Sequence, residues 1–513
     1  MARLFEYQGK AIIAQAGIAV PNGEVVETPQ QAVEAASRIG LPVVLKSQVW
    51  VTGRASAGGI GFASTIGSVG EKAAKMLGSL VKGQKVEKLL VEERLCIAKE
   101  FFLGVTIDDR EKRPVLIFSV RGGVGIEETA AKRPDAVARL YLDSRRDIYE
   151  FEARDLVRKF SIRGEEQDRL IPVMSSLWAA ARKHEARSAE INPLVMTDDG
   201  RLVAADCRIA IDDYAVFRHP DLGIEIAREF DRPASPLDKI AYAVEARDYR
   251  GTFYFFQMVR DFGKREGVIA FHGAGGGGSM MSMDAVMKKG FKLANFCDTS
   301  GNPPASKVYR AARIILAQRN IDGYFASGSG VASQEQFHSA RGLIKAFAEE
   351  MLSVPAVIRL GGNAEETAIE LLRRFSDYWP APLEAYGRDD TPEFCADRLS
   401  VMLLLPIRHK ELKRFDFPDE FSYSFKTLTG WVRFDHARCR DCENKSCVEA
   451  CAQRILETSD GLPKLSVPEE AAAKGRCVEC LACELECHSC GRAGIKIELP
   501  IEGLDQYPGQ NNE

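Results

Sequence analysis

The chain has 513 residues, enough for three or more domains, and 45% hydrophobic with 28% charged residues is an ordinary globular composition. A formal net charge of −4 argues against the basic patch of a nucleic-acid-binding protein, so no nucleic-acid partner is expected. No apolar run approaches the roughly eighteen residues of a membrane helix, and the first residues lack the apolar region of a signal peptide, which together predict a cytoplasmic protein with no membrane span.

The first predicted elements are a helix and a buried strand. Tyr7–Gly17 has the apolar spacing of a helix, and Leu41–Gln48 has the apolar composition of a buried strand. Lys46 lies inside that strand. Because an isolated lysine is almost never fully buried, it requires an anionic partner, either a ligand or a carboxylate in a structural salt bridge.

A run of small residues follows at Gly53–Gly59 (GRASAGG). Without bulky side chains, backbone amides can approach phosphate oxygens closely, and Arg54 adds further donors. Alone, this pattern indicates only a glycine-rich turn. Lys88–Glu92 is predicted as the next buried strand, and Ser119–Ile126 as another glycine-rich turn, to which we assign no ligand.

The stretch Ala189–Asp206 has the pattern of a hairpin. Its apolar-rich strands, Ile191–Met196 and Arg201–Ala205, flank Asp198-Asp199-Gly200. This sequence suits a three-residue loop with glycine in the left-handed conformation. Before it, Asp143–Lys159 is predicted to form an exposed helix, and His184 is expected to be solvated.

The hairpin register predicts a cluster of oxygen ligands. A three-residue loop places Asn192 opposite Asp206, and alternation along the strand puts Glu190 and Asn192 on one face. Two carboxylates and an amide oxygen suit Mg²⁺, which completes its shell with water and phosphate. The alternative is a surface hairpin whose polar residues point outward.

The motifs EINPL at Glu190–Leu194, a following aspartate and VFRHPDL at Val216–Leu222 resemble the nucleotide-binding half of the succinyl-CoA synthetase β-subunit family. The resemblance begins at LFEYQGKAIIAQAGIAVP near the start and extends to about Leu372, roughly seven-tenths of the chain. It implies an α/β protein with an ATP-grasp domain, which we place at residues 1–233, and ATP or GTP as the nucleotide.

The resemblance also implies roles for individual residues. In the family, the positions matching Asn192 and Asp206 hold Mg²⁺, the position matching Glu190 meets a phosphorylated histidine, and the position matching Lys46 contacts the nucleotide phosphates. The other implied nucleotide-binding residues are Gly53, Arg54, Ala55, Glu92, Leu95 and Glu100. The family has glycine where Ala55 stands. For Glu92, Glu93 and Glu100 the alternative is a solvated acidic edge.

Three strand–turn–helix units follow the hairpin. They are Gly267–Gly275 with Met280–Lys289, Ile321–Val331 with Gln334–Glu349, and Val354–Gly362 with Glu365–Phe375. Units in series predict a doubly wound, flavodoxin-like parallel sheet with ligands at the carboxyl ends of its strands. The family resemblance implies that this is a CoA-ligase domain, which we place at residues 234–408. Glycine-rich turns at helix N-termini can bind anions.

The family resemblance implies a missing half of the active site. The turn containing Gly328 and Gly330 would aim a helix at the phosphohistidine, which in the family belongs to a separate CoA-binding α-type subunit. No segment of this chain resembles the surroundings of that histidine. We therefore expect such a partner, with CoA bound to it.

Two departures from the family fall at the position that binds the acid. His272 replaces an asparagine that touches the substrate, and Gly328–Val331 replaces a Gly-Gly-Ile-Val turn. Histidine can donate to a carboxylate and carry charge near neutral pH, and the glycine-rich run Gly275–Gly278 would leave extra volume. The expected substrate is a small carboxylic acid other than succinate. A hydrogen-bonded core histidine is the alternative for His272.

Nine of the thirteen cysteines lie between Cys439 and Cys490. The second of two runs has the spacing of bacterial ferredoxins, in which the fourth cysteine crosses to the other cluster. This assigns one 4Fe–4S cluster to Cys439, Cys442, Cys447 and Cys487, and a second to Cys451, Cys477, Cys480 and Cys483. Cys490 is surplus, and the scattered Cys96, Cys207, Cys297 and Cys395 are expected in the core.

This tail is predicted as a linker at residues 409–428 and a small α+β ferredoxin-like domain at 429–513. The four-residue gap before Cys447, and Ala452 and His488 in place of the usual prolines, depart from the ferredoxin pattern. Two zinc sites are the alternative.

Three functions are compatible with this combination. The leading one is an acid–CoA ligase β-type subunit, NDP-forming and active only with its partner, that associates with redox subunits. The second is an electron-transfer subunit in which the ATP-grasp half couples ATP binding or hydrolysis to electron transfer. The third, a regulatory scaffold that only senses nucleotide, is disfavoured because Lys46, Glu190, Asn192 and Asp206 are all retained.

Overall fold

The computed structural model describes residues 1–123, 126–228, 230, 232–405, 411–418 and 420–507, without the side chains of 127–129. Parts of the predicted glycine-rich turn at Ser119–Ile126, of the linker and of the C-terminal end lie outside these residues. The chain divides into two compact units, Met1–Ala234 and Ser235–Glu513. In the described part of the chain, no helix has the length and apolar character needed to cross a membrane.

The first unit contains two main antiparallel sheets. Its strands are β1 (Ala2–Arg3), β2 (Gly23–Val26), β3 (Val43–Ser47), β4 (Ile60–Ala63), β5 (Leu80–Val81), β6 (Gln84–Lys85), β7 (Leu89–Glu93), β8 (Ile97–Asp108), β9 (Arg113–Ser119), β10 (Val137–Tyr141), β11 (Ala186–Thr197), β12 (Leu202–Ala204) and β13 (Cys207–Ile211). Its helices are α1 (Glu6–Gln15), α2 (Pro29–Ile39), α3 (Ile66–Met76), α4 (Ile126–Lys132), α5 (Glu150–Arg158) and α6 (Gly164–Lys183). The larger sheet has the order β1-β13-β11-β8-β9-β10, with β12 on β11, and the smaller has the order β2-β7-β3-β4.

The predicted hairpin register is confirmed. Leu194 pairs with Ala204 and Met196 with Leu202, which leaves the three-residue loop between the strands. Gly200 has a φ of +81°, the left-handed conformation that this loop requires. At the far end, the amide of Asn192 donates to the carbonyl of Asp206 at 3.2 Å, as the register demands.

Other expectations for the first unit are wrong. Helix α5 is not simply exposed, because it buries Ala153, Leu156 and Val157. His184 is buried rather than solvated. Its ring Nδ1 lies 3.0 Å from the carbonyl oxygen of Ala180, in the last turn of α6, where backbone carbonyls lack helical partners. Of the scattered cysteines, Cys96 is exposed, whereas Cys207 in this unit and Cys297 and Cys395 in the second unit are buried as expected.

The second unit carries the predicted parallel sheet. Its strands are β14 (Tyr254–Gln257), β15 (Val268–Ala274), β16 (Lys292–Leu293), β17 (Asn295–Asp298), β18 (Gly323–Gly328), β19 (Ala356–Arg359), β20 (Leu383–Tyr386), β21 (Tyr423–Lys426), β22 (Trp431–Phe434), β23 (Leu456–Ser459), β24 (Leu462–Leu465) and β25 (Ile495–Glu498). Its helices are α7 (Pro236–Arg247), α8 (Gly276–Lys288), α9 (Ala305–Leu316), α10 (Phe337–Glu349), α11 (Glu365–Arg374), α12 (Pro392–Leu404), α13 (His436–Arg440), α14 (Ser446–Glu449), α15 (Glu469–Ala471) and α16 (Ala482–Cys490).

The large sheet of this unit has the order β14-β17-β15-β18-β19-β20, and only its edge strand β14 is antiparallel. Helices cover both faces. Phe271 packs with Val286 of α8 and Leu399 of α12 on one face, whereas Tyr324 packs among residues of α9 and α10 on the other. Because β-strands alternate their side chains, a sheet covered in this way is apolar on both sides.

The cysteine-rich tail shares a hydrophobic core with the large sheet of this unit (β14-β17-β15-β18-β19-β20, called the ligase-type sheet below) and its helices. Its strands form a small sheet in the order β21-β22-β25 and a separate pair, β23 and β24. Phe425, Phe434 and Leu485 pack in the same buried cluster as Leu237 and Tyr309. Within the predicted linker at residues 409–428, Tyr423–Lys426 forms β21, and its Phe425 side chain is buried in this core.

Candidate functional site

A buried group of charged side chains lies at the end of the hairpin in the first unit. Lys46 Nζ lies 2.9 Å from Glu6 and 2.8 Å from Glu92, and it donates to the carbonyl oxygen of Ala205 at 2.5 Å. Lys10 contacts the same two carboxylates at 2.9 and 2.6 Å, and it also donates to Ala205. The anionic partner that Lys46 requires is therefore supplied by protein carboxylates in this structure.

Arg54 extends this group to Asp206. Its Nη2 atom lies 2.7 Å from both Glu6 Oε2 and Asp206 Oδ2, and its Nη1 donates to the carbonyl oxygen of Ser47 at 3.0 Å. The other carboxylate oxygen of Asp206, Oδ1, is buried and has no hydrogen-bond partner in the described part of the chain. A buried carboxylate oxygen with an open lone pair is a suitable ligand for Mg²⁺.

The electrostatics of the group follow from its geometry. Burial opposes ionisation of Glu6, but Lys46, Lys10 and Arg54 outweigh it and hold the pKa of Glu6 well below its usual range. Burial likewise opposes the charge on Lys46, yet Glu6, Glu92 and Asp206 raise its pKa. Glu6 and Lys46 therefore stay ionised at neutral pH.

Glu190 and Asn192 share one face, as predicted. Asn192 Nδ2 donates to Glu190 Oε1 at 3.2 Å, and Asn192 Oδ1 accepts from the amide of Gly123 at 2.8 Å. Among the described residues, no group of three or more His, Cys, Asp or Glu side chains could hold a metal ion. One carboxylate and one amide oxygen, completed by nucleotide phosphates and water, do not require such a group.

The remaining predicted nucleotide-binding residues lie in three places. Gly53, Arg54 and Ala55 form a turn in which Gly53 has a φ of +65°. Glu100 instead borders a cavity of about 640 Å³ that is also lined by Lys99, Phe101, Arg163 and Glu166. Leu95 is half-buried, two residues beyond the end of β7.

Sequence reasoning missed Glu6 and Lys10. They are one helical turn apart on α1, and both are buried on the face that also buries Ile13. Two charged residues at this spacing on an otherwise apolar face were the available clue, but their partners lie far away in the sequence.

In the second unit, two turns meet at the carboxyl edge of the sheet. The Gly328 carbonyl accepts from Arg359 Nη1 at 2.8 Å, and a Cβ on Gly330 would lie 3.0 Å from Arg359 Nη2. A Cβ on Gly278 would lie 2.5 Å from the Cα atom of Ser329. The expectation that Gly275–Gly278 leaves volume for the substrate is wrong at Gly278, because the neighbouring turn fills that space.

His272 lies inside β15 and not at the surface of this edge. Its side chain is 4% exposed, and its Nδ1 lies 2.7 Å from the hydroxyl oxygen of Tyr324. Burial lowers the pKa of His272 to about 3, so the imidazole is neutral. The expectation that it adds charge near neutral pH is wrong; it is the hydrogen-bonded core histidine described as the alternative.

The cysteines of the tail fall into two neighbouring sets. Cys451, Cys477, Cys480 and Cys483 line one small cavity together with Phe425, Val432 and Ile497. Burial raises the pKa of Cys447 to about 12, and the nearby thiols of Cys487, Cys439 and Cys442 contribute to the rise. The assignment of these sets to two clusters stays a prediction, because neither set is among side-chain groups that could hold a metal ion in the described part of the chain.

The fold and this site define a class. A model of the ATP-grasp domain matches residues 3–196, and a model of the ATP citrate lyase citrate-binding domain matches residues 263–394. The chain is therefore an α/β protein that joins an ATP-grasp domain to a CoA-ligase-like sheet. Both matches end before the cysteine-rich tail.

Known relatives narrow this class to a family. The β subunit of the GDP-forming succinate–CoA ligase of Thermus thermophilus is 40% identical over 383 residues, covering 74% of this chain and 96% of that one. The β subunit 1 of the ADP-forming enzyme of Archaeoglobus fulgidus is 38% identical over 376 residues, covering 73% and 93%. The chain belongs to the succinate–CoA ligase β-subunit family.

A solved structure supports the fold. ATP citrate lyase from Methanothrix soehngenii, determined in complex with citrate and coenzyme A, has a TM-score of 0.60 and 16% sequence identity. The similarity covers 78% of this chain and 99% of that one.

The buried charge group predicts a specific dependence on pH. Replacing Glu6 by Gln leaves Lys10, Lys46 and Arg54 short of one negative charge, which should destabilise the first unit by about 3–5 kcal/mol at pH 7. Because folding lowers the pKa of Glu6, its contribution is present above the unfolded value of about 4.3 and is lost as the pH falls through the folded value.

Calorimetric unfolding at a series of pH values measures this difference. The gap in melting temperature between wild type and Glu6→Gln should narrow progressively below about pH 4.3. Glu71→Gln, on the exposed face of α3, is the matched control and should leave the melting temperature unchanged. A gap for Glu6→Gln that does not vary with pH would contradict the assignment.

Proposed function

We propose that this chain is the β-type subunit of an ATP- or GTP-dependent carboxylic acid–CoA ligase that works with a CoA-binding α-type subunit. The observation that carries the proposal is the buried group of Lys46, Arg54 and Asp206 at the end of the hairpin, in a chain of this family. A nucleoside triphosphate bound with Mg²⁺ requires cations near its phosphates and a carboxylate oxygen for the metal ion, and these residues can supply both.

The reaction would pass through three transfers. The nucleotide phosphorylates a histidine of the partner, the phosphoryl group moves to the substrate carboxylate, and the CoA thiolate displaces phosphate from the acyl phosphate. Asn192 and Asp206 would hold Mg²⁺, which would offset charge on the phosphates. Lys46 and Arg54 would exchange part of their contact with carboxylates for contact with phosphate oxygens, while Glu190 would meet the phosphohistidine.

We place the acid at the carboxyl edge of the parallel sheet, between the Gly275–Gly278 and Gly328–Val331 turns. The matching citrate-binding model spans this region, which supports an acid site there. Because His272 is neutral and buried, the polar groups at this edge that could contact the acid include the side chains of Asn302, Ser329 and Ser333. The departure from the family at Gly328–Val331 is the remaining basis for proposing an acid other than succinate.

We further propose that the tail holds two 4Fe–4S clusters. In such a cluster each of the four thiolates binds a different iron, so four cysteines need to surround a cavity and not converge on one ion. The cavity lined by Cys451, Cys477, Cys480 and Cys483 fits this requirement. The amide of Gly494 donates to Cys487 Sγ at 3.2 Å, a contact that would stabilise a thiolate ligand of the other cluster.

The two adjoining cysteine sets favour a second candidate function. Burial raises the pKa of Cys483 well above its usual range, and Cys447 of the other set contributes beside Cys480 and Cys477. Neighbouring clusters would allow one-electron transfer between them. The chain would then be an electron-transfer subunit in which the ATP-grasp half couples nucleotide binding or hydrolysis to reduction by redox partners.

The nucleotide site can be tested directly. Asp206→Ala and Asp206→Asn should abolish Mg-dependent ATP binding measured by titration calorimetry, because each removes an anionic Mg²⁺ ligand. Asp198→Ala removes an exposed carboxylate from the loop of the same hairpin and should bind as the wild type does. Undiminished Mg-ATP binding by both Asp206 variants would refute the site.

The missing half-site predicts dependence on a partner. Incubated alone with labelled ATP, CoA and a panel of carboxylic acids, the purified chain should form neither a stable phosphoenzyme nor an acyl-CoA. Adding an α-type subunit should yield acyl-CoA, and the same mixture with Asp206→Ala should not. Product formation by the chain alone would show that the active site is already complete.

The cluster content is measurable after anaerobic purification. The chain should contain about eight irons and eight acid-labile sulfides, as two such clusters require. Cys483→Ser should lower the iron content and leave Mg-ATP binding unchanged, whereas Cys490→Ser should change neither. Stoichiometric zinc without sulfide would replace the iron–sulfur assignment with two zinc sites.

A further inference from the structure

Helix α10, which packs on the ligase-type sheet, is fixed against the cysteine-rich tail by a fully buried ion pair. Lys345 Nζ lies 2.7 Å from Glu484 Oε1, and neither side chain is exposed to solvent. Burial opposes the charge on Lys345, but Glu484 and Glu349 outweigh it and raise its pKa. Since Glu484 directly follows Cys483, this contact brings one face of α10 beside the second cysteine set.

Arg341 lies one helical turn before Lys345, so it projects from the same face of α10. Its guanidinium lies 4.6 Å from the centroid of the Phe337 ring, which holds the side chain along the helix. Burial lowers the pKa of Arg341, whereas Cys480, Glu486 and Cys483 favour its charged form. An arginine remains protonated despite such a shift.

The carboxylates of the neighbouring residues 477–487 have other cationic partners. Glu484 pairs with Lys345, Glu479 pairs with Arg250 at 2.5 Å, and Glu486 pairs with Arg374 at 2.6 Å. In the described part of the chain, no ion pair within 4.0 Å engages Arg341 itself. Its positive charge is therefore not neutralised by a direct carboxylate contact.

A cation at this position would stabilise the oxidised and reduced forms of a neighbouring 4Fe–4S cluster to different extents. A 4Fe–4S cluster with four thiolates is anionic, and one-electron reduction adds a further negative charge. Partial burial strengthens the attraction to a nearby cation, so the reduced form gains more than the oxidised form. Net charge near a cluster is one of the factors that set its reduction potential.

We propose that Arg341, on the helix α10 that packs on the ligase-type sheet, raises the reduction potential of the cluster held by Cys451, Cys477, Cys480 and Cys483. It is a positioning residue that acts through the cluster and touches no substrate. The inference rests on the proposed iron–sulfur content. It makes the ligase half part of the electron site, because without α10 the tail would lack this charge.

The test is a potentiometric titration of the anaerobic full-length chain with dithionite, followed by electron paramagnetic resonance. Arg341→Gln should shift the midpoint of one cluster downward and leave that of the other unchanged, while Arg341→Lys should stay close to wild type because it retains the charge. Arg373→Gln, on the exposed face of α11, is the matched control and should shift neither midpoint.

Both midpoints unchanged in Arg341→Gln, with about eight irons present, would overturn the inference and leave the cluster proposal standing. Equal shifts of both midpoints would also overturn it, since they would indicate a general structural change. A wild-type chain without iron and sulfide would remove the cluster proposal itself. If Arg341→Gln loses the cluster, Glu486→Gln decides: deleting that negative charge should raise the same midpoint, and an unchanged or lower midpoint would overturn the inference.

Discussion

Lys46 lies in the middle of a buried strand, and its ammonium group could not remain there without Glu6 and Glu92. Because these charges must be paired, the elements that carry them are also held in position. Glu6 brings α1 against β3, Glu92 ties β3 to β7, and the shared carbonyl of Ala205 holds the end of the hairpin on the same charges. The pairing of a few buried charges therefore sets the relative positions of the elements that surround the candidate nucleotide site, because an unpaired charge at any of these positions would be strongly destabilising.

In the second unit the corresponding constraint is backbone proximity. The turn after β15 and the turn after β18 approach so closely that Gly278 has no room for a side chain beside Ser329. Arg359 then anchors the second turn through the Gly328 carbonyl. In the proposed acid site, substrate contacts would come from exposed polar groups of the turns, since His272 is withdrawn into the sheet and hydrogen-bonded to Tyr324.

Local chemistry made part of this structure predictable from the sequence. The hairpin register follows from one three-residue loop and the alternation of side chains, so the placement of Asn192 opposite Asp206 could be predicted without knowledge of the fold. The partners of Lys46 could not, because Glu6 and Glu92 are distant in sequence and the strand pattern indicates only that some anion is needed. The neutrality of His272 could not be predicted for a similar reason. It depends on burial and on the contact with Tyr324, neither of which can be inferred from the sequence of its own strand.

The shared core of the tail and the ligase-type sheet has a consequence for moving the tail to another protein. Phe425, Phe434 and Leu485 are buried together with Leu237 and Tyr309, so the tail is not an independent domain joined only by a flexible linker. Moving it onto another ligase would expose apolar surface on both pieces unless the recipient already had matching helices. The buried side chains of α7 and α9 and those of the tail therefore depend on one another, since they belong to one core.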